Sequence, residues 1–265
     1  MISEALTLGI VQGITEWLPV SSEGMVVLAQ HFFFGGGSLG DTIRFALFLH
    51  LGTVLAAIVY FRTDIATLGK NLFQYQKLSQ EKKNLLIFYI VATLIGGLVG
   101  MGVLFLLDSA ESVLAMSGMW VNILLGVTLA ITGVLQFSKG KGGEKQEDDV
   151  RVIDGVMIGF AQALAVVPGI SRSGTTVATL LLRGYEDEVA LKLSFIAGIP
   201  LVIAGNILLN AERFVPSPEN LIALLASFAF GFATIHLLLI VARRIQFGWL
   251  LLAFAALLIV AGFVG

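Results

Sequence analysis

The chain contains no cysteine, so disulfides, zinc–thiolate sites, iron–sulfur clusters and cysteine nucleophiles are all excluded. It has little charge. Asp, Glu, Lys and Arg make up 13% of its 265 residues, about half their share in soluble domains. It has no basic excess, at a formal net charge of −2, which argues against a nucleic-acid ligand. What it has in abundance is apolar surface: 57% of the residues are hydrophobic and thirty more are glycine. No soluble fold of this size has interior enough to hide that much, and a chain this apolar does not stay disordered. A polytopic, all-α membrane protein is expected. The N-terminus has neither a basic n-region nor a small-residue cleavage site, and is not read as a signal peptide.

A spanning helix needs about 20 predominantly apolar residues. The intervals free of Asp, Glu, Lys and Arg run 45–61, 84–107, 112–138, 193–211, 221–242 and 245–265, which predicts six crossings. Two further apolar regions are interrupted. The first, residues 2–34, is broken by Glu16, Pro19, Ser21, Ser22, Glu23 and Gly24. The second, 155–182, is broken by Pro168, Gly169, Ser171, Arg172, Ser173 and Gly174. Two short apolar halves around a polar tip predict a re-entrant helical hairpin, whose irregular backbone survives at membrane depth only inside protein or beside water. A pair of kinked spanning helices is the alternative.

The interrupted regions resemble each other. Gly9 to Gln12 matches Gly159 to Gln162, Ser21 matches Ser171 and Gly24 matches Gly174, each 150 residues apart. Three spans follow each hairpin. The chain therefore reads as a first repeat (1–138), a polar linker (139–154) and a second repeat (155–265). A half with three crossings and one hairpin ends on the opposite face, so the repeats are inverted in topology. Such architecture places its site near the midplane, at the repeat interface.

Basic residues set the orientation. The side bearing the 62–83 loop and the linker collects thirteen Lys and Arg, against Arg44 and Arg213 on the other. Under the positive-inside rule, the 62–83 side is cytoplasmic. The first hairpin, both termini and the 108–111 and 212–220 loops then face outward, and the second hairpin enters from the cytoplasm.

The tips carry the chemistry. Gln12 and Glu16 are four residues apart, on one face of a helix. An ionisable group at membrane depth is a functional candidate by default. Glu16 can bind a divalent cation or accept a proton, or it can pair with Arg172 and hold the hairpins together. Pro19 ends the first half-helix. Ser21 and Ser22 either cap the second half-helix or present hydroxyls to a ligand. In the second tip, Arg172 stands between Ser171 and Ser173 at the start of a half-helix. Free N–H groups and partial positive charge gather there, and a guanidinium adds bidentate phosphate recognition. Ser171, Ser173 and Thr176 supply further donors, while Gly169 and Gly174 allow close backbone approach.

At these two strings the sequence resembles the bacitracin-resistance type undecaprenyl-diphosphate phosphatases. The first motif is Gln12 to Glu16 followed by Leu18 to Met25; the second stands in full from Pro168 to Thr176. The likeness extends through Leu193 to Pro200 and, more loosely, Leu49 to Thr53. The resemblance implies six crossings and two re-entrant hairpins in inverted repeats, commonly dimeric, with an outward-opening site. It implies hydrolysis of a polyprenyl diphosphate lipid, aided by a divalent metal such as magnesium. By matched position, Arg172 with Ser171, Ser173, Gly174 and Thr176 holds the diphosphate. Gln12 and Glu16 sit at the metal or proton-transfer position, and Ser22 is the nucleophile candidate with Ser21 beside it.

Two positions depart from the motif. The usual histidine after the tip glycine is Met25, and the usual small residue before it is Glu23. Methionine cannot move protons. Glu23 is a candidate base or metal ligand, and His50, on the first full span, is a candidate substitute for the missing imidazole. His31 and His236 are expected to pack or face the interface. A transporter of a polyprenyl phosphate or small anion is the competing reading, because inverted repeats with broken helices also build transporters.

Overall fold

The computed structural model describes residues 2–35, 39–108, 123, 126–127, 130–131, 133–134, 143–167, 170–210, 217–244 and 247–264. Ten α-helices are defined among them: α1 (Ile2–Thr15), α2 (Ser22–Phe34), α3 (Leu39–Tyr60), α4 (Arg62–Phe73), α5 (Gln80–Asp108), α6 (Val152–Leu164), α7 (Arg172–Leu182), α8 (Asp187–Asn210), α9 (Pro218–Arg244) and α10 (Phe247–Val264). Four of these helices, α3, α5, α8 and α9, are long and apolar enough to cross a bilayer. The protein is therefore a multi-pass, helical membrane protein. α10 occupies the interval expected for the last span. The expected span 112–138 lies mostly outside the described residues, as do Pro168, Gly169, the linker's first residues 139–142 and most of both outward loops.

The spanning helices overrun the charge-free intervals at their ends. α3 takes in Asp41 and Arg44, α5 begins before Lys82 and Lys83, and α8 begins at Asp187. Charged side chains on a terminal turn reach out of the apolar zone, so charge marks where lipid ends rather than where the helix ends. The 62–83 stretch, expected as a loop, contains α4. Its Ile65, Leu68 and Leu72 recur at helical spacing, and Ile65 and Leu68 pack on the main core. A polar opposite face hides such a helix from a search for uncharged runs.

The two short hairpins α1–α2 and α6–α7 have the same local construction. α2 is capped by Ser21, whose Oγ accepts from Gly24 N; α7 is capped by Ser171, whose Oγ accepts from Gly174 N. Each hairpin lays its first helix along a long helix of the other half: α1 against α9, and α6 against α5. The approach is close. A Cβ on Gly9 would stand 2.3 Å from the Ala223 carbonyl oxygen, and one on the matching Gly159 2.6 Å from Ile95 Cβ. Small residues that let backbones touch are how helices associate in lipid. Polar side chains add to this: Asn206 and Asn210 of α8 donate to the Leu47 and Arg44 carbonyls of α3, both at 2.9 Å, and Ser227 of α9 donates to Leu49 O at 2.8 Å.

At one end, outside the spans, a polar knot ties the first turn of α6 to the turn after α7. Buried Asp154 accepts from Arg183 Nε at 2.7 Å, Tyr185 OH at 2.8 Å and Arg151 N at 2.9 Å. Burial alone would push its carboxyl up, but these donors outweigh it and hold the group below its ordinary value. Tyr185 is pushed up, first by burial and then by its bond to Asp154. Lys192 joins Asp64 of α4 and Glu147 of the linker.

Candidate active site

α1 ends at Thr15, and the chain turns through residues 16–19 before Ser21 starts α2. The turn leaves Glu16 buried, at 5% exposure, beside the start of α7. Both of its oxygens are engaged. Oε1 accepts from Arg172 Nη2 at 2.6 Å. Oε2 accepts from Gln12 Nε2 at 2.8 Å and from the Ser22 hydroxyl at 2.8 Å, and lies 3.0 Å from His50 Nε2. A carboxylate thus sits among a guanidinium, an imidazole, an amide and a hydroxyl from α1, α2, α3 and α7. The sequence left two roles open for Glu16, and the pairing with Arg172 is present alongside contact with Ser22.

Arg172 is fixed from three sides. Besides Glu16, its guanidinium lies over the Trp17 ring, 5.8 Å from the centroid, and Trp17 is itself packed on Phe195 of α8. The third side is Gly198, where a Cβ would fall 1.2 Å from Arg172 Nη1. Only a residue without a side chain leaves this berth open. Trp17 and Gly198 escaped the sequence reading. Their signals are an aromatic next to the buried acid and a glycine inside the otherwise bulky Leu193–Pro200 run.

Ser171, Ser173, Gly174 and Thr176, expected to hold the diphosphate, stand with Arg172 at the start of α7, and the first three of them also meet the first tip. Ser173 Oγ donates to the carbonyls of Leu18 (2.7 Å) and Glu16 (3.1 Å) in the first tip. A hydroxyl has one proton to give, and this one is spent on backbone. Ser171 caps α7 and reaches Leu18 O at 3.4 Å. A Cβ on Gly174 would press on Pro19 Cα at 3.3 Å. Thr176 is turned away, bonded to Arg172 O at 2.7 Å and Ser194 Oγ at 2.6 Å. Of the paired serines, Ser21 is the cap and Ser22 faces Glu16. Glu23 is half-buried, close enough to interact electrostatically with His50 and Glu16. Met25 is 40% exposed. His50 joins the cluster, whereas His31 stacks edge-on against Phe32 and His236 meets Tyr60 OH at 3.1 Å.

The donor set bears on a divalent cation. Gln12 Oε1 is buried with no hydrogen-bond partner among the described residues, on the same amide whose Nε2 bonds the Glu16 carboxylate. These are hard oxygen ligands of the kind magnesium takes. No group of three His, Cys, Asp or Glu positioned to hold a metal occurs among the described residues. The arrangement fits a cation with few protein ligands that shares the rest with phosphate and water, as magnesium commonly does.

The fold and cluster together define a multi-pass membrane protein that encloses an acid, a guanidinium and a hydroxyl where two helical hairpins meet. The chain belongs to the family described as bacitracin resistance protein BacA, whose match runs over residues 5–264. It is similar to the undecaprenyl-diphosphatase of Methanococcoides burtonii, at 38% identity over 99% of this chain and 98% of the relative. It is also similar to that of Haloarcula marismortui, at 39% over 97% and 96%. Undecaprenyl-diphosphatase 1 of Bacillus licheniformis is 36% identical over 79% of this chain and 76% of its own.

Proposed function

We propose that this chain is an integral membrane hydrolase that converts undecaprenyl diphosphate to undecaprenyl monophosphate and inorganic phosphate. It would thereby recycle the lipid carrier and confer resistance to bacitracin. The observation that carries the reading is the Ser22–Glu16–Arg172 chain, which spans both hairpin tips. Relatives named as diphosphatases over nearly the full length leave the transporter reading without support of its own.

Arg172 binds the terminal phosphate and leaves Glu16 Oε1 as it does so. Ser22 Oγ then attacks the terminal phosphorus while its proton passes to Glu16 Oε2, already 2.8 Å away. The new Oγ–P bond replaces the anhydride P–O bond, whose electrons leave on the undecaprenyl monophosphate. Glu16 hands the proton it took from Ser22 to the departing monophosphate oxygen, and then accepts one from a water that attacks the phosphoserine. The Oγ–P bond breaks, inorganic phosphate leaves, and the Glu16 proton returns to Ser22 Oγ. Charge on the transferring group is met by Arg172 and the positive end of α7, donors set in place before reaction. Glu16 and Gln12 Oε1 would hold magnesium, with Glu23 a further candidate ligand, and the metal would neutralise diphosphate charge when bound. Ser171, Ser173 and Gly174 keep the Arg172-bearing tip seated on the first, and Thr176 ties it to Ser194 of α8.

The same reading includes the inverted repeats with re-entrant hairpins, supported by the matching Ser caps and the exchanged packing of α1 and α6. It also includes termini and site opening on the outer face, supported by the basic-residue asymmetry, and a homodimer, supported by the resemblance alone. The test is phosphate release by purified chain in lipid nanodiscs given undecaprenyl diphosphate and magnesium. Folded protein that binds this lipid without releasing phosphate refutes hydrolysis.

A further inference from the structure

His50 lies on α3, outside both hairpins, and the mechanism above makes no use of it. Its ring is nevertheless held at both nitrogens. Nδ1 is 2.7 Å from the Ala46 carbonyl oxygen, one helical turn back. A carbonyl only accepts, and so does a carboxylate, so a ring that bonds both carries a hydrogen on each nitrogen and is locked in orientation. Nε2 points the other way, 3.0 Å from Glu16 Oε2 and 3.5 Å from Ser22 Oγ. The oxygen that takes the Ser22 proton is therefore gripped by Gln12 from its own helix and by His50 from α3. Once Arg172 leaves the other oxygen for phosphate, Gln12 alone would leave the carboxylate free to swing about its side-chain bonds away from Ser22.

We infer that His50 is a positioning residue for the hydrolysis: it pins Glu16 Oε2 against the Ser22 hydroxyl. The inference rests on the function proposed above. It also accounts for Met25. That position lies three residues beyond Ser22 on α2 and so shares its face. A histidine there would approach the hydroxyl from the exposed side of the hairpin. In this chain the imidazole comes instead from α3, behind the tip, and the position on α2 is left to an exposed methionine.

The role requires a hydrogen-bond donor at the end of a side chain of the right length, and nothing more of residue 50. Glutamine supplies one at a similar reach; alanine and leucine do not. The full chain in nanodiscs, assayed with undecaprenyl diphosphate and magnesium, is expected to lose about 100-fold in kcat on His50→Ala, the scale of a small misplacement of a reacting group. KM should stay within about threefold, because Arg172 and the tip are untouched. His50→Gln should keep kcat within about fivefold of wild type, while His50→Leu, which fills the same space without a donor, should match His50→Ala. Thermal unfolding of each variant reports whether it folds, and His50→Gln with its near-native shape keeps the test open if alanine does not. Wild-type kcat in His50→Leu overturns the inference, and so does a His50→Gln variant that folds but is as slow as His50→Leu. Absence of phosphate release by the wild-type chain overturns it together with the proposed function.

Discussion

Replacement of Arg172 tests the site at its centre, and lysine is the more telling substitution. The guanidinium meets Glu16 Oε1 at 2.6 Å, lies on Trp17 and fills the berth over Gly198. A lysine ammonium keeps the charge but is a point donor. It cannot lie flat on the indole or present two parallel N–H groups to a phosphate. Losing one preorganised donor at a developing charge costs about 2.7–4 kcal/mol, or about 10²–10³ in rate. Since Lys retains the charge, Arg172→Lys should fall near the lower bound, about 100-fold in kcat, or about 2.7 kcal/mol at 1.36 kcal/mol per tenfold. Arg172→Ala should release no measurable phosphate. Stability should fall by less than the about 3–5 kcal/mol expected when a buried charge loses its only partner, because Glu16 keeps Gln12, Ser22 and His50. Phosphate release and thermal unfolding, measured on the same nanodisc samples, separate the two effects. Arg172→Lys activity within threefold of wild type would refute the reasoning, as would a folded Arg172→Ala variant that still hydrolyses the lipid.

Three further outcomes are expected. Ser173→Ala removes the donor to Leu18 O and Glu16 O and should cost about 1–3 kcal/mol by thermal unfolding, the penalty for unmade buried hydrogen bonds; an unchanged melting temperature would show that the tips do not depend on it. Glu23→Gln should abolish phosphate release if its carboxylate serves as base or cation ligand, and full activity removes it from the mechanism. Asp154→Asn should destabilise the chain by about 1.5–3 kcal/mol at neutral pH. Because folding lowers the Asp154 pKa, its stabilisation is present above the unfolded value near 3.9 and is lost as pH falls through the folded one. The gap between wild type and variant should therefore close below about pH 4, and a gap equally wide at pH 3 and pH 7 would contradict the assignment.

Much of this was legible in the sequence because lipid is a strict solvent. Apolar runs long enough to cross had to be where α3, α5, α8 and α9 are, and polar residues inside such runs had to be enclosed by protein. Helix ends were less legible, since Asp41, Arg44 and Asp187 sit on terminal turns where charge is tolerated. α4 was missed because its apolar stripe is interrupted in sequence by Arg62, Asp64 and Lys70. At the site, residue type was legible and direction was not. Nothing in the string Ser171-Arg172-Ser173 says that the arginine faces Glu16 while Ser173 faces the Leu18 carbonyl. That follows from which side of α7 lands on the first tip. Gly198 was out of reach for the same reason: its meaning lies in an arginine 26 residues earlier.

The two tips bring unlike charges to one cluster. Ser21 and Ser171 cap their helices in the same way, so the two hairpins offer equivalent positions. Their charges differ: the first carries Glu16, the second Arg172, and the residue matching Glu16 in the second is Val166. A carboxylate left alone at membrane depth carries a heavy desolvation cost, and so does a guanidinium. Brought together at 2.6 Å, each offsets the other's cost. The bonds of Ser173 to the first tip hold the hairpins in that register. Opposite charges on matching tips therefore couple the meeting of the hairpins to the pairing of both groups: a chain whose hairpins have not met has neither a paired acid nor a paired guanidinium.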